Sequence, residues 1–281
     1  MSDQASGSAA VDDADDLRGF HFRRYLRRWP TWLLLGLGMA AGLAAGFFAA
    51  GPAIGALAAV AMLLLGLLVA FGIADSASED NFWDAYSSRR GLSRTEDGSL
   101  PPVTELLRKG DERKADEVLR GPLADGLDGA LALYTYTDVY HDKNGRHETD
   151  YRFTVAMVDL ADSLRFCEEI YCQRKSGLRA LEGVEDAFRT KHRVELESEE
   201  LAKRYEIFVS PDQDPNWIRQ LFSPTFIVWL TERCPEKFAF ELETGMLVCN
   251  VKGHRKSASE LDGMRTAAAA VAQRIREECR E

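Results

Sequence analysis

The sequence predicts an α+β protein: an N-terminal transmembrane α-helical hairpin, then a cytoplasmic domain with a mostly antiparallel sheet and a long C-terminal helix. Three observations lead to this prediction. Residues 29–74 contain no Asp, Glu, Lys, Arg or His. Segments between residues 130 and 251 alternate apolar and polar residues around turn signals, which is typical of β-hairpins. The chain closes with a capped apolar stripe at helical spacing.

The uncharged stretch divides at Gly51 and Pro52 into two apolar runs, 31–50 and 53–74. Each run has about 20 residues, enough to cross a hydrocarbon core of about 30 Å as a helix. A helix satisfies its own backbone hydrogen bonds in lipid. We therefore expect a multi-pass protein of the cell membrane. A cleaved signal peptide is the alternative for the first run, but that run is too long and the second follows at once.

Arginines flank the two runs, and the turn between them has none. Since Lys and Arg near span ends mark the cytoplasmic side, both termini should be cytoplasmic. The arginines just before the first run are also candidate contacts for anionic headgroups of the lipid bilayer, although setting the topology is their simpler role. These candidates are Arg23, Arg24, Arg27 and Arg28.

Glycines recur every four residues in both runs. Gly38, Gly42 and Gly46 share one face of the first helix, and Gly51 and Gly55 have the same spacing at the start of the second. Small residues at this spacing let helix backbones approach closely in lipid. We predict that these glycines pack the two helices together, with homodimerisation through the same face as the alternative. Neither run contains an ionisable residue, which argues against transport by the hairpin alone.

Composition limits the partners and the cellular compartment expected for the chain after the hairpin. The 281 residues carry a net charge of −10, and the part after the hairpin has no basic stripe, so nucleic acid is not expected as a partner. Five cysteines, with no Cys-x-x-Cys, indicate free thiols in a reducing cytoplasm. We predict four regions: a disordered acidic tail and basic juxtamembrane segment (1–28), the hairpin (29–74), a polar helical connector (75–128) and a cytoplasmic α+β domain (129–281).

Within the connector, Phe82, Trp83 and Tyr86 have the amphipathic character of residues at a membrane interface. Residues 103–109 and 111–120 are expected to form two short helices, because glycine and proline interrupt the chain after each. The charged residues of 111–120 are interpreted as a solvated helix face.

The domain is predicted to begin with a hairpin. Asn144-Gly145 separates two alternating runs and is a strong hairpin signal. With these two residues as the turn, Asp142 should lie opposite His147 and Tyr136 opposite Phe153. Opposite charges near the turn and aromatic rings in the strands are favourable cross-strand pairs. This pairing accounts for the histidine without a metal.

Further strands are expected at 164–174, 193–196 and 205–209, and a helix at 178–188. Asp214-Pro215 and Ser223-Pro224 each combine a capping residue with a proline and should open short helices. A second hairpin should place Phe240 opposite Cys249. Ser257 and Glu260 form a capping box for the last helix. Its apolar stripe is Leu261, Met264, Ala268, Val271 and Ile275.

The sequence contains no phosphate-binding loop, nucleophile elbow, zinc-protease motif, Ca²⁺ loop or kinase signature. It therefore predicts no catalytic, cofactor-binding or metal-ligating residue; His192, beside Glu195 and Glu197, is interpreted as part of a solvated charged run. The leading hypothesis is a membrane-anchored binding or scaffolding module that recognises a partner at the cytoplasmic face. The alternative is a membrane-associated enzyme, such as a hydrolase, whose site is assembled in space.

Several segments resemble a family of uncharacterised actinobacterial membrane proteins with two spans. The resemblance implies the anchored architecture and brings no activity with it. The element order is also similar to that of pleckstrin-homology-like barrels. The segments that carry the family resemblance are Arg90-Gly91-Leu92, Leu106 to Arg113, Leu133 to Tyr136, Leu221 to Leu230 and Phe238 to Leu242.

Overall fold

The computed structural model describes residues 29–143, 145–175 and 190–280. Within them it leaves out the side chains of 29–35, 46, 49–50, 55, 67–78 and 97. The chain forms two compact units that divide between Tyr86 and Ser87. The first unit contains a helical hairpin, and the second contains the sheet.

The hairpin consists of α1 (Trp29–Ala50) and most of α2 (Pro52–Arg89). Gly51 joins them with a φ of 95°, in the left-handed region that favours glycine, and its N–H donates to the Phe47 carbonyl at 3.1 Å. Helix α2 extends beyond the apolar run, through a polar segment, to Arg89. Among the residues described here, no helix offers a stretch both long and apolar enough to cross a membrane.

The second unit is built on one antiparallel sheet in the order β1-β2-β3-β4-β9-β8-β5-β7-β6. The prediction of an α+β fold with a mostly antiparallel sheet and a long C-terminal helix is confirmed, and the described sheet has nine strands. The strands are β1 (Ser93–Gly98), β2 (Glu112–Ala124), β3 (Leu127–Asp142), β4 (Gly145–Asp159), β5 (Glu169–Arg174), β6 (His192–Val194), β7 (Tyr205–Val209), β8 (Phe238–Glu243) and β9 (Met246–Lys252).

The helices of this unit are short except for the last. Both Pro-initiated helices form where predicted, and Asp214 caps the first of them by accepting from the Asn216 N–H at 2.9 Å. The predicted helix 178–188 lies outside the described residues. The helices are α3 (Glu105–Arg108), α4 (Glu199–Arg204), α5 (Pro215–Leu221), α6 (Pro224–Glu232) and α7 (Ala258–Glu278), with a 3₁₀ turn at Ala161–Arg165.

The prediction of a helix over 111–120 is wrong, because this segment belongs to β2. It pairs with β3 from Glu112 opposite Thr137 to Ala124 opposite Leu127. The charged residues Glu112, Arg113 and Lys114 are exposed, whereas Ala115 and the run 117–119 are buried in the sheet, and tertiary pairing overrides local propensity. The predicted strand over 164–174 is confirmed only for its second half, since the 3₁₀ turn occupies the first.

The register predicted for the first hairpin is wrong by two residues. Asp142 lies opposite Gly145, so Gly145 belongs to β4 and not to the turn. Tyr136 consequently lies opposite Tyr151, and the two rings stack with centroids 4.8 Å apart. The shift of two preserves the inward and outward faces of both strands. His147 still reaches Asp142, with Nε2 2.9 Å from Oδ1.

The C-terminal part of the fold was predicted correctly. Phe240 lies opposite Cys249 in the β8–β9 hairpin. Ser257 caps α7: its Oγ accepts from the Glu260 N–H at 3.4 Å and donates to the Glu260 carboxylate at 2.9 Å. The predicted stripe of α7 is buried along its whole length.

Two different covers lie on the two faces of the sheet. Helix α7 packs on one face, against β2, β4, β9 and α5. On the other face, residues 100–107 cover the inward side of β2, β3 and β4, where Leu106 and Leu107 join a core with Tyr134, Tyr136 and Val155. This cover ends beside β8 and β9. The sheet surface beyond it is the setting of the candidate site.

Candidate functional site

A concave pocket of about 240 Å³ lies where β4, β9, β8 and β5 meet the segment that carries α3. Its lining combines three kinds of side chain. The apolar ones are Leu106, Tyr151, Phe153 and Ala239; the hydrogen-bonding ones are Gln173, Glu241 and Asn250; the cationic ones are Lys109, Arg174, Lys237 and Lys252.

Strand pairing explains why these residues share one face. Ala239 lies opposite Asn250, and Phe153 lies opposite Lys252. Glu241 is two residues from Ala239 along β8, so both side chains leave the sheet on the same side. The register of β4, β8 and β9 therefore assembles the pocket from residues that are far apart in sequence.

Glu241 forms the buried end of the pocket, with 2% of its surface exposed. Its Oε2 accepts a hydrogen bond from the Leu106 N–H at 3.0 Å, and its Oε1 accepts one from the Gln173 side chain at 2.8 Å. Burial raises the pKa of the Glu241 carboxyl, although the Leu106 N–H, the Thr104 hydroxyl and the Lys109 ammonium oppose this shift. The protonated form of Glu241 is thereby favoured more than that of an exposed glutamate.

Lys109 also lines the pocket. Burial lowers the pKa of its ammonium group, against the attraction of Glu241, Glu105 and Asp138. No described carboxylate lies within ion-pair distance of its Nζ. Lys109 is therefore a partly desolvated cation without a direct counterion in the described part of the chain.

Asn250 points into the pocket with 8% of its surface exposed. Its side-chain amide forms no hydrogen bond within the ranges that the structure describes. Most buried polar side chains are hydrogen-bonded, so an unpartnered amide at a cavity wall has capacity left for a ligand. Asn250 can supply both a donor and an acceptor.

The remaining cations stand at the mouth of the pocket. Lys252 is exposed, and Lys237 has its Nζ 3.8 Å from Glu236. The Arg174 guanidinium lies 5.1 Å from the centre of the Tyr205 ring. The mouth is thus cationic within a chain of net charge −10.

A charged network beside the pocket fixes α3 against the sheet. Arg108 Nη2 lies 2.6 Å from the Glu243 carboxylate, and the Tyr171 hydroxyl donates to the same carboxylate at 2.6 Å. The carboxylates of Glu243 and Glu105 raise the pKa of Arg108. Because α3 carries Leu106 and precedes Lys109, this network holds one wall of the pocket in place.

In the described part of the chain, none of the residues predicted for lipid contact or for helix packing lines this pocket. Arg23, Arg24, Arg27 and Arg28 are outside the described residues, as are the surroundings of Gly46 and Gly55. Gly42 faces α2: a Cβ built there would lie 2.9 Å from the Ala58 carbonyl oxygen. A Cβ at Gly38 would meet nothing within 4 Å.

The other residues considered from the sequence do not come together. His192, Glu195 and Glu197 are exposed around β6. Cys167, Cys172 and Cys249 are buried, and burial raises the pKa of each thiol. Within the described ranges, no three His, Cys, Asp or Glu side chains are placed to hold a metal ion.

Sequence reasoning missed Glu241, Asn250 and Lys109. A signal existed for the first two, because each is a polar residue inside a strand that is otherwise apolar. The predicted pairing of Phe240 with Cys249 already placed both on the face opposite those residues. Lys109 had no such signal, since its role depends on where the chain before β2 lies.

Comparisons with known proteins give a distant structural likeness. No family model and no curated protein matches the chain. Among solved structures, the chain is similar to the mycobacterial trehalose monomycolate transport factor A, TtfA, at 10% sequence identity and a TM-score of 0.43. The match covers 70% of this chain and 91% of that chain.

Proposed function

We propose that this protein is a membrane-anchored cytoplasmic binding module whose sheet unit holds a ligand in the pocket around Glu241. One observation carries the proposal: a concave site joins an apolar wall, a buried carboxyl group, an unpartnered amide and four cations. Binding sites typically combine a mainly apolar cavity with a few convergent polar groups.

The anchor in this proposal is the hairpin of α1 and α2. Its support is the uncharged stretch 29–74 and the flanking arginines. Large apolar side chains of the hairpin are also exposed, such as Phe48 (86%) and Leu57 (70%), and apolar exposure of this extent marks an interaction or membrane surface. Both termini are then cytoplasmic, and the arginines at 23, 24, 27 and 28 face the bilayer surface.

Two finer features belong to the same proposal. Gly42 packs the hairpin internally, while Gly38, with open space beside it, is available for a second copy of the chain. The likeness to pleckstrin-homology-like barrels remains a prediction about element order. In this proposal, a protein partner can bind at the cytoplasmic face in addition to the ligand in the pocket.

An enzyme is the second candidate, favoured by the placement of Glu241 and Lys109 in one cavity. Their pKa values are displaced toward each other, a pattern that suits proton transfer. However, none of the described lining residues is Ser, Thr, Cys or His. Without a nucleophile of these types, binding is the simpler proposal.

Native mass spectrometry of the full chain, released from membranes, tests the binding proposal. The parent chain should carry a bound species, and Ala239→Phe, which fills the pocket, should lack it. Ala202→Phe, on the exposed face of α4, is the matched control and should retain the species. A parent chain that carries no bound species, but has a turnover activity that Glu241→Gln abolishes, would favour the enzyme instead.

A further inference from the structure

We infer that the pocket ligand is a small organic anion with an apolar body and a hydroxyl group. This inference rests on the proposed binding function and names its ligand class. Three neighbouring features of the pocket support the inference: the cationic mouth, the apolar wall and the unpartnered Asn250 amide.

Charge is the first argument. Four cationic residues line the cavity (Lys109, Arg174, Lys237 and Lys252), and Glu241 is the only carboxyl group among the described lining residues. Burial favours the neutral form of that carboxyl group. Even with Glu241 ionised the lining has a net positive charge, and a neutral ligand would leave the Lys109 ammonium partly desolvated and without a counterion.

Size and shape give the second argument. A volume of about 240 Å³ corresponds to about eight waters at their liquid density, and therefore to a ligand of roughly ten non-hydrogen atoms or to the end of a larger molecule. Tyr151 and Phe153 present a broad apolar surface beside Leu106. An aromatic ring or short aliphatic chain suits that wall, because its burial removes apolar area from water.

Hydrogen bonding gives the third argument. The two Glu241 oxygens already accept from Leu106 and Gln173, yet each carboxylate oxygen has a further lone pair. A ligand hydroxyl can donate to Glu241 and accept from the Asn250 amide. The anionic group then lies toward Lys109 and Lys252.

Calorimetric titration of the full chain in a nonionic detergent tests the inference. The probe is 4-hydroxybenzoate, and its neutral isostere is 4-hydroxybenzamide. We expect the acid to bind at least tenfold more tightly than the amide. Lys109→Met/Lys252→Met should weaken binding of the acid at least tenfold, whereas the control Lys203→Met, an exposed residue of α4, should not change it. Because Lys252 is exposed, Lys252→Met alone provides a variant with little risk to folding.

Competition distinguishes the two sources of such an anion. Dihexanoylphosphatidylglycerol, below its micelle concentration, should displace the probe if the natural ligand is a lipid headgroup. A soluble organic acid is indicated if it does not. Both results agree with an anionic ligand.

The inference is overturned if acid and amide bind equally, if the lysine substitutions leave the affinity unchanged, or if neither probe binds at millimolar concentration. These failures are distinguishable from failure of the binding function. A bound species seen by native mass spectrometry and lost in Ala239→Phe would stand in each of these cases.

Discussion

The Glu241 carboxylate accepts a hydrogen bond from the Leu106 N–H at 3.0 Å, across 135 positions in the sequence. This bond joins the centre of β8 to the segment that covers the neighbouring strands. The same carboxyl group forms the buried end of the pocket. The covering segment 100–107 and the pocket therefore both depend on the Glu241 side chain. Substitutions at Glu241 should change both stability and binding.

Glu241→Ala is expected to lower the free energy of unfolding by about 1–3 kcal/mol, because the Leu106 N–H and the Gln173 amide lose their acceptor in a buried setting. Glu241→Gln should cost less, since its amide oxygen can still accept from Leu106. Urea unfolding of the full chain in nonionic detergent, followed by near-ultraviolet circular dichroism, measures both. The exposed control Glu236→Ala should stay within about 0.5 kcal/mol; an equal loss there would contradict the role given to Glu241.

The raised pKa of Glu241 predicts a pH dependence of stability. The folded state holds this proton more tightly than the unfolded state, so the contribution is fully present below the ordinary pKa near 4.5 and is lost as pH rises through the folded pKa. Stability of the parent should therefore fall relative to that of Glu241→Gln as pH increases from about 4.5, by at most about 1.4 kcal/mol per unit. His254, whose pKa is lowered by burial, is present in both chains and cancels in the difference. Parallel stability curves for the two chains would refute the assignment.

Local signals in the sequence were sufficient to predict the C-terminal part of the fold. The β8–β9 register and the start of α7 depend on a short turn and a capping box, which act over a few residues. The β3–β4 register was not predicted, because Tyr136 stacks on both Tyr151 and Phe153, and aromatic pairing alone therefore does not distinguish the observed register from the predicted one. The strand β2 was missed because its pairing with β3 and β1 exists only in the assembled sheet.

The pocket was harder to predict than the strands around it. Glu241 and Asn250 interrupt the apolar pattern of β8 and β9, which indicates a polar feature on the face of the sheet that these two side chains share. It does not indicate that Lys109 and Gln173, from two other elements, lie beside them. The proximity of Gln173 follows from the strand order, in which β5 pairs with β8 although five described elements separate them along the chain.

Two glycines in the sheet unit should respond oppositely to alanine. A Cβ at Gly129 would overlap the Met157 carbonyl oxygen and lie 2.7 Å from Leu123 Cδ1, so Gly129→Ala should cost about 1–3 kcal/mol of stability. A Cβ at Gly263, inside α7, meets nothing within 4 Å, and Gly263→Ala should stabilise by about 1 kcal/mol through helix propensity. Urea unfolding under identical conditions compares them. A neutral Gly129→Ala would show that β3 and β4 are farther apart than described.

The glycine face of the hairpin gives the last prediction. Gly42→Ile should disturb packing of α1 on α2, because even a Cβ at this position would lie 2.9 Å from the Ala58 carbonyl oxygen and 3.0 Å from Met62 Cγ. Gly38→Ile is the matched control for packing within the chain, since a Cβ there meets nothing within 4 Å. Leu35→Ile, a volume-conserving change, should cost little.

Disulfide cross-linking between one cysteine introduced into each helix, in a chain without its native cysteines, measures packing within the hairpin, and dimer yield in detergent measures association between chains. We expect Gly42→Ile to reduce the cross-link and Gly38→Ile to leave it unchanged. A loss of dimer in Gly38→Ile alone would assign that glycine to a contact between two copies. Equal cross-linking in all three variants would contradict a packing role for Gly42 and leave the glycine spacing as a by-product of small-residue composition.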